Sequence, residues 1–436
     1  MKKVRFIKFS LVFLISSLLL CSCLLDIRGK GKIVDITEDP PVEVIPEPEK
    51  LTLMVYMAAD NDLESEAIAN LKQMEHSDFD RMNVLVLLDR AEEYDRTNGD
   101  WTDTRLFKVC HDGTNSSYIV SERLDCPILG LSKTEQTELN MASYMVLRNF
   151  ITFAKNEYEA EKYALIIWGH GTGWRYASGE GTRAVAIDDK TNTYMSVLDE
   201  GKAVKDLNLA VIGFDTCFGG TIENLYELKD ASAYTVASPS ITPSHGWNYT
   251  KLLEDLSQSN FSESEIARIM AESSSAKTSV YDNAKLSDVF NCVESFSEAL
   301  SDSITSNETR QDILEKLLSV KSYSYSSFPC DMFLDIYSMA EQFTSSQNSF
   351  VVQNARILKS TLNNAGTTPG SQNLLIGIYF MEKTSSQTLA TQHSSGYIKN
   401  QNDTTQCSFI KDSVWWVPTI GANSGSLLDK LFYKVY

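Results

Sequence analysis

Histidine is scarce in this chain. Its 436 residues include five, and none lies three or four positions from another histidine or from a cysteine. The spacings that bind zinc on a helix or in a finger are therefore missing. Cysteine occurs eight times but never as CxxC, and there is no GxGxxG or P-loop run. Thioredoxin-like redox chemistry, dinucleotide binding and phosphate cradling lose their usual sequence support. Positive charge is also short: 39 Lys and Arg face 58 Asp and Glu, a net charge of −19. Such a chain has no electrostatic reason to approach nucleic acid, although its field can steer a cationic substrate. No internal repeat is present. What remains, 43% hydrophobic and 22% charged residues, is an ordinary globular composition with ample material for a core.

The two ends of the chain differ from its body. Lys2, Lys3, Arg5 and Lys8 precede an apolar run from Leu11 to Leu20, a signal-peptide layout too short to span a bilayer. The run closes on Leu20-Cys21-Ser22-Cys23. This resembles a bacterial lipoprotein signal, with cleavage after Ser22 and a lipid on Cys23. Residues 1–22 are thus expected to be a signal, and 23–49 an acidic tether carrying Pro40, Pro41, Pro46 and Pro48, since such a segment is extended and buries no core. The remaining six cysteines show no repeating interval, and a core of this size needs few disulfides.

The body reads as strands alternating with helices, which predicts crossovers and a mainly parallel sheet. Leu51–Met57 and Val84–Leu88 are predicted strands. Leu139, Val146, Leu147, Phe150, Ile151 and Ala154 mark one face of a helix, which leads into a strand ending at His170. Ile222–Leu228 is predicted helical and Tyr234–Ser238 a strand. After about residue 275, serine-rich helical stretches (Val293–Ile304, Asp331–Phe343) surround one further strand, Leu374–Phe380. A polar loop, Lys383–Thr405, then precedes Trp415 and Trp416. Residues 50–275 are therefore expected to form the catalytic domain and 276–436 a C-terminal α+β lobe.

Two aliphatic runs stop at glycines, and each carries a competent side chain where it stops. They are Leu165-Ile166-Ile167-Trp168-Gly169-His170-Gly171 and Leu209-Ala210-Val211-Ile212-Gly213-Phe214-Asp215-Thr216-Cys217-Phe218-Gly219-Gly220. If these strands lie side by side, the imidazole and thiol meet at the carboxyl end of the sheet, where active sites of such sheets gather. A helix after Cys217 would stabilise a thiolate. Most cysteines are inert core residues; what raises Cys217 above them is the glycine-framed histidine. Asp215, two residues earlier, is predicted to share the face of Cys217. His245, in Pro243-Ser244-His245-Gly246-Trp247, is a weaker candidate, and His76, His111 and His393 read as surface residues.

With these residues the chain resembles the clostripain family of cysteine peptidases, relatives of caspases, gingipains and legumain. The matching pieces are Val55-Tyr56-Met57 with Asp60-Asn61-Asp62-Leu63, Tyr163 to Gly171 followed by Gly173-Trp174, Ile187-Asp188-Asp189, Val211 to Cys217, Ala237-Ser238 with Gly246-Trp247-Asn248-Tyr249, and Gly377-Ile378-Tyr379-Phe380. The resemblance implies a caspase-like α/β/α sandwich. It makes Cys217 the nucleophile and His170 the general acid/base, with the N–H groups of Gly171 and Cys217 as oxyanion hole. Asp215, with Ser238 nearby, would recognise Arg or Lys at P1. Self-cleavage between the His and Cys strands is implied too, with Arg183 and Lys190 as candidates. Where the family has acidic or amide residues after Ala237-Ser238, this chain has Pro239-Ser240-Ile241.

No cofactor is required by this reading, though Asp60-Asn61-Asp62 and Asp188-Asp189 are possible oxygen ligands for Ca²⁺. The expected partners are protein or peptide substrates and, through the lipid, a membrane of the bacterial cell envelope; the chain itself is expected to be a monomer. The competing reading is a tethered binding lipoprotein that keeps the fold without the chemistry.

Overall fold

The computed structural model describes residues 49–174, 185–324, 331–381, 397, 407–415 and 426–432. The signal, Cys23 and the tether up to Pro48 lie outside the described residues, as do Arg183, Cys330, Trp416 and, Tyr397 apart, the loop Lys383–Thr405.

In chain order the elements are β1 (Glu49–Ala59), α1 (Glu64–His76), β2 (Met82–Arg90), β3 (Arg105–Lys108), β4 (Glu122–Arg123), α2 (Tyr144–Glu157), β5 (Ala160–Trp168), β6 (Val185–Asp188), β7 (Thr193–Met195), α3 (Val197–Val204), β8 (Leu209–Asp215) and α4 (Ile222–Leu228). There follow β9 (Ser232–Ala237), α5 (Tyr249–Ser257), α6 (Glu263–Ser273), β10 (Ser279–Asp282), α7 (Asn283–Ser303), α8 (Asn307–Leu318), β11 (Ser322–Tyr323), β12 (Asp331–Asp335), α9 (Ile336–Gln342), α10 (Ser349–Asn364), β13 (Gly366–Thr367) and β14 (Gly377–Met381). Two short helices, Ser408–Asp412 and Leu427–Phe432, come last.

Nine strands form one sheet in the order β13-β10-β9-β8-β5-β1-β2-β3-β4. The five central strands, β9 to β2, run parallel, and the flanking pairs are antiparallel. The unbroken aliphatic stretches of β1, β5 and β8 follow from this position: a central parallel strand is covered on both faces and has no polar side to show. Alternation then sorts the side chains. Met54, Tyr56, Leu165, Ile167 and Phe214 pack on one face with Phe150 of α2 and Leu225 of α4. Leu53, Val55, Ile166, Trp168 and Val211 pack on the other with Leu71 of α1, Leu252 of α5 and Ile266 of α6. This is an α/β/α sandwich, as the strand–helix alternation predicts. Among the described residues no helix is long and apolar enough to cross a membrane.

Differences from the sequence reading are local. Helix α2 begins at Tyr144, so Leu139 packs on the core from the preceding loop. Asp331–Phe343 is a strand followed by a helix, because β12 is sandwiched between β11 and β14 in a small antiparallel sheet. Of the expected Leu374–Phe380 strand only Gly377–Phe380 pairs with it, and Met381 extends the pairing by one residue. The main sheet takes two strands, β10 and β13, from beyond residue 275, and Pro48–Tyr436 forms one compact unit.

Candidate active site

Strands β5 and β8 are parallel neighbours in a register that sets Trp168 opposite Asp215. His170 and Cys217 each follow two residues later, so the two chains leave the sheet side by side, about 5 Å apart. The Gly169 N–H donates to the Asp215 carbonyl at 3.3 Å and carries the pairing one step past the strands. Beyond it the two loops press together. A Cβ added to Gly171 would lie 2.2 Å from the Cys217 carbonyl oxygen and 2.9 Å from the Thr216 side chain. Only hydrogen fits there. Gly171→Ala is therefore expected to push the nucleophile loop away and destabilise the protein by about 1–3 kcal/mol, as overpacking does. Urea unfolding beside kinetics would check this; a variant with parent stability and activity would refute the contact.

Cys217 is half-buried and held against the loop that follows β9. Its thiol donates to the Thr242 carbonyl at 3.6 Å, and the Thr242 N–H points back at the sulfur at 3.3 Å. The Thr242 hydroxyl donates to the Thr216 carbonyl, the Phe218 N–H to Ser240 and the Gly220 N–H to Ser238. The segment carrying the nucleophile is thus zipped to residues 238–242. Phe218 adopts a positive φ of 55°, a conformation that costs a bulky residue on the order of 1–3 kcal/mol. Its ring is fully buried 5.4 Å from that of Phe333, which holds the kink in place. One expectation is corrected: α4 starts only at Ile222, with Thr221 in the N-cap position but making no side-chain capping bond, so the kinked segment, and not a helix end, directly follows the sulfur.

The His170 Nε2 lies 2.5 Å from Asp62 Oδ1, a residue of the loop between β1 and α1. The ring is one-third exposed, and Asp62 is mostly exposed. Asp62 orients the imidazole, a role its sequence motif alone does not reveal. The only available signal is its place just past the end of a strand adjacent to β5. Below the His170 loop lies an aromatic cluster. Gly173, with φ 74°, packs against Phe333, and the Trp174 ring sits 4.7 Å from both Tyr379 and Tyr397. The Tyr397 hydroxyl donates at 2.7 Å to Glu223 of α4. Burial raises that carboxyl to about 7. Tyr397 thereby joins the loop of His170 to the helix after Cys217. Tyr397→Ala is expected to cost about 3–5 kcal/mol, the usual loss for a large buried aromatic. Tyr397→Phe, which removes one donor and leaves the carboxyl the Tyr379 N–H at 2.9 Å, should cost only about 1 kcal/mol. Equal effects in thermal unfolding would mean that the ring contributes nothing.

Asp215 departs from expectation. Strand β8 ends with it, so alternation does not extend to Cys217. Asp215 turns to the face of Trp168, while Cys217 packs at the edge of the opposite cluster. Its Oδ2 accepts from the Trp247 N–H at 2.9 Å and the Tyr249 hydroxyl at 3.0 Å, and Oδ1 has no donor among the described residues. Burial raises its pKa to about 7, against the pull of those two donors. Gly246, with φ 69°, covers it so closely that a Cβ would lie 2.7 Å from Oδ2. Beside this point a cavity of about 290 Å³ is lined by Gln73, His245, Trp247, Asn248, Ser273 and Ser275. His245 therefore belongs to the Asp215 side of the sheet, its ring 3.3 Å from the Ser275 hydroxyl. Ser238 is buried, and its hydroxyl accepts from the Ser240 N–H at 3.1 Å.

Lys190 sits in the tight turn between β6 and β7, its ammonium 2.9 Å from Glu138. Of the suggested calcium ligands, Asp60 and Asp188 do meet, but their companions are Asp89 and Glu138. Asp62 serves His170 instead. Asp89 and Glu138 were not legible because neither stands in a ligand-like run. No disulfide joins Cys110, Cys126, Cys217, Cys292 and Cys407.

A parallel sheet that delivers a cysteine and a histidine from adjacent strand ends defines the caspase-like class of cysteine peptidase folds. Residues 55–415 match the model of the clostripain family, peptidase family C11, and the chain belongs to that family. It is 31% identical over 226 residues to clostripain of Hathewaya histolytica, a match that spans 47% of this chain and 42% of clostripain's own length. Among solved structures it resembles an inactive zymogen C11 protease from Parabacteroides distasonis, with TM-score 0.55 at 17% identity, covering 78% of this chain and 94% of that one. It also resembles a secreted C11 cysteine protease from Bacteroides thetaiotaomicron in complex with an irreversible peptide inhibitor, with TM-score 0.54 at 19% identity, covering 78% and 95%.

Proposed function

We propose that the chain is a cysteine endopeptidase that cuts after Arg or Lys. The observation that supports the peptidase chemistry is the register of β5 and β8, whose last pair, Trp168 and Asp215, stands two residues before His170 and Cys217. With Nε2 on Asp62, Nδ1 is the ring nitrogen that serves the reacting bond. It takes the Cys217 proton, and the thiolate attacks the scissile carbonyl. The N–H groups of Gly171 and Cys217 receive the oxyanion. The imidazolium then protonates the leaving amine, and water, deprotonated by the same ring, hydrolyses the thioester. Asp215, with an oxygen that lacks a donor among the described residues, supplies the negative charge for a basic P1 side chain, and Ser238 shapes the wall beside it.

Membership of a cysteine peptidase family supports a protein or peptide substrate, and the acidic charge of the chain favours cationic segments. Self-processing is assigned to the bond after Arg183. Lys190 is less suited, because its turn pins the backbone N–H to Asp60 at 3.0 Å, whereas a peptidase binds its substrate extended. The enzyme acts as a monomer, tethered through Cys23 to the cell envelope. Residues 50–275 carry the chemistry, and 276–436 act as a lobe that buttresses it.

Fluorogenic peptides ending in Arg, Lys or Ala test the reading on residues 50–436. Turnover confined to Arg and Lys is expected. Turnover on Ala alone would remove the role of Asp215, and silence of folded, reduced protein on all three would leave a tethered binding protein.

A further inference from the structure

We propose that Thr242 is a positioning residue of the active site: its hydroxyl fixes the peptide unit whose N–H receives the oxyanion, while its backbone holds the sulfur. The inference rests on the peptidase reading above and deepens one part of it. The Thr242 hydroxyl donates at 2.9 Å to the Thr216 carbonyl, and both residues are buried, 9% and 1% exposed. That carbonyl belongs to the same peptide unit as the Cys217 N–H. The unit is planar and trans, so its C=O and N–H point in opposite directions within one plane. Whatever grips the oxygen therefore aims the hydrogen.

This peptide needs a grip from outside the sheet. Strand β8 ends at Asp215, whose carbonyl accepts the Gly169 N–H, so the Thr216–Cys217 unit lies one step past that pairing. Gly171, which carries the other N–H assigned to the oxyanion, presses on the same unit. A Cβ there would meet the Thr216 side chain at 2.9 Å and the Cys217 carbonyl at 2.2 Å. Thr242 is well suited to hold what lies between. A β-branched side chain keeps few rotamers, and its backbone is tied to the nucleophile: the Thr242 N–H points at the sulfur at 3.3 Å, and the Thr242 carbonyl accepts the thiol at 3.6 Å. One residue thus reaches the sulfur with its backbone and the oxyanion peptide with its side chain.

A buried hydroxyl must find an acceptor, and a carbonyl in any loop would satisfy it. The acceptor that Thr242 takes gives the bond a second effect. A hydrogen bond to a peptide carbonyl polarises the unit and strengthens its N–H as a donor, by on the order of 10–30%. A donor already aimed at the place where charge develops needs no reorganisation when the oxyanion forms. Once the thiol has given its proton to His170, the Thr242 N–H becomes a donor to the thiolate that remains, and such charge-assisted bonds are the strong ones.

The test reads the peptide directly. Thr-Cys occurs once in the sequence, at Thr216-Cys217, so the full chain labelled with carbonyl-¹³C threonine and ¹⁵N cysteine gives a single peak in a carbonyl–amide correlation spectrum. Thr242→Val keeps the shape and the backbone N–H but removes the hydroxyl. It should move the carbonyl carbon and the amide proton of that peak upfield. In the same variant kcat for Arg and Lys peptides should fall about 10–10²-fold with KM unchanged, part of the roughly 10²–10³-fold lost when an oxyanion donor is removed outright. Thr242→Ser should restore the peak position and most of kcat. If Thr242→Val fails to fold, Thr242→Ala against Thr242→Ser makes the same comparison. A peak that stays in place overturns the bond, and a shifted peak with parent kcat overturns its role in catalysis. A loss of kcat that Thr242→Ser does not restore would mark a purely structural residue and overturn that role too. Should the parent hydrolyse none of the peptides, the peptidase reading falls and takes the catalytic role with it, while the peak still decides whether Thr242 holds the peptide.

Discussion

Cys217→Ala is expected to abolish peptide hydrolysis and leave the fold intact. When the nucleophile of a covalent peptidase is removed, the whole acyl-enzyme route goes with it, a loss of about 10⁶-fold in kcat where comparable enzymes have been dissected. Stability should change by only about 1 kcal/mol. The thiol is half-buried, and its partners, the carbonyl and N–H of Thr242, belong to a loop held by three other backbone and hydroxyl bonds to residues 216–220. The sharper form of the test adds His170→Ala. Groups that act as a unit are not additive, so the double variant should be no slower than either single one. Multiplying losses would mean that the two residues act in separate steps and would break the dyad. Any turnover of Arg-ending peptides by Cys217→Ala above a few per cent would place the nucleophile elsewhere.

Asp215→Asn is expected to lower activity and raise stability together. Asp215 is fully buried, and its pKa is about 7 against 3.8 for an ordinary aspartate. The sign follows from where the proton sits. Below about pH 4 the folded and unfolded chains both hold it and the side chain costs nothing. As pH rises towards 7 the unfolded chain ionises readily while the folded one resists, so the parent loses stability across that window. The full loss, on the order of 4 kcal/mol, is present above pH 7. An asparagine escapes it and can still accept from Trp247 and Tyr249. The Tm advantage of the variant should therefore be large at pH 8 and vanish near pH 4. In the same protein, kcat/KM for Arg and Lys peptides should fall about 10²–10³-fold, the range for breaking a buried charge pair, with Ala peptides unaffected. If Asp215 only braces the 246–249 loop, the P1 preference will survive the substitution. A Tm gain that does not depend on pH would show that its ionisation is not what burial opposes.

Local sequence carried most of the fold because the central strands are buried on both faces. Runs such as Leu209–Phe214 have no alternative to a covered parallel strand, and the glycines at their ends mark where the backbone must turn. The errors fell where pairing partners decide. Asp331–Phe343 has the composition of a helix, yet its first half is held as a strand by β11 and β14. The C-terminal half of Leu374–Phe380 pairs, and the rest does not. His170 and Cys217 were legible for a related reason, since a glycine-framed histidine and cysteine at strand ends have few structural uses.

The sequence by itself therefore determined the central strands and the placing of His170 and Cys217 at strand ends, which rest on periodicity and short-range chemistry, while its motifs carried the resemblance to the family. Tertiary structure decided who faces whom. It put Asp62 on His170, turned Asp215 away from Cys217 because β8 stops there, and drew Tyr397 under Trp174. It also gathered Asp60, Asp89, Glu138 and Asp188 into one cluster from positions 60 to 188. Contacts of that span leave no local pattern, because any acid or aromatic at those positions satisfies the local backbone equally well. Only the packing of distant loops gives each of them a partner.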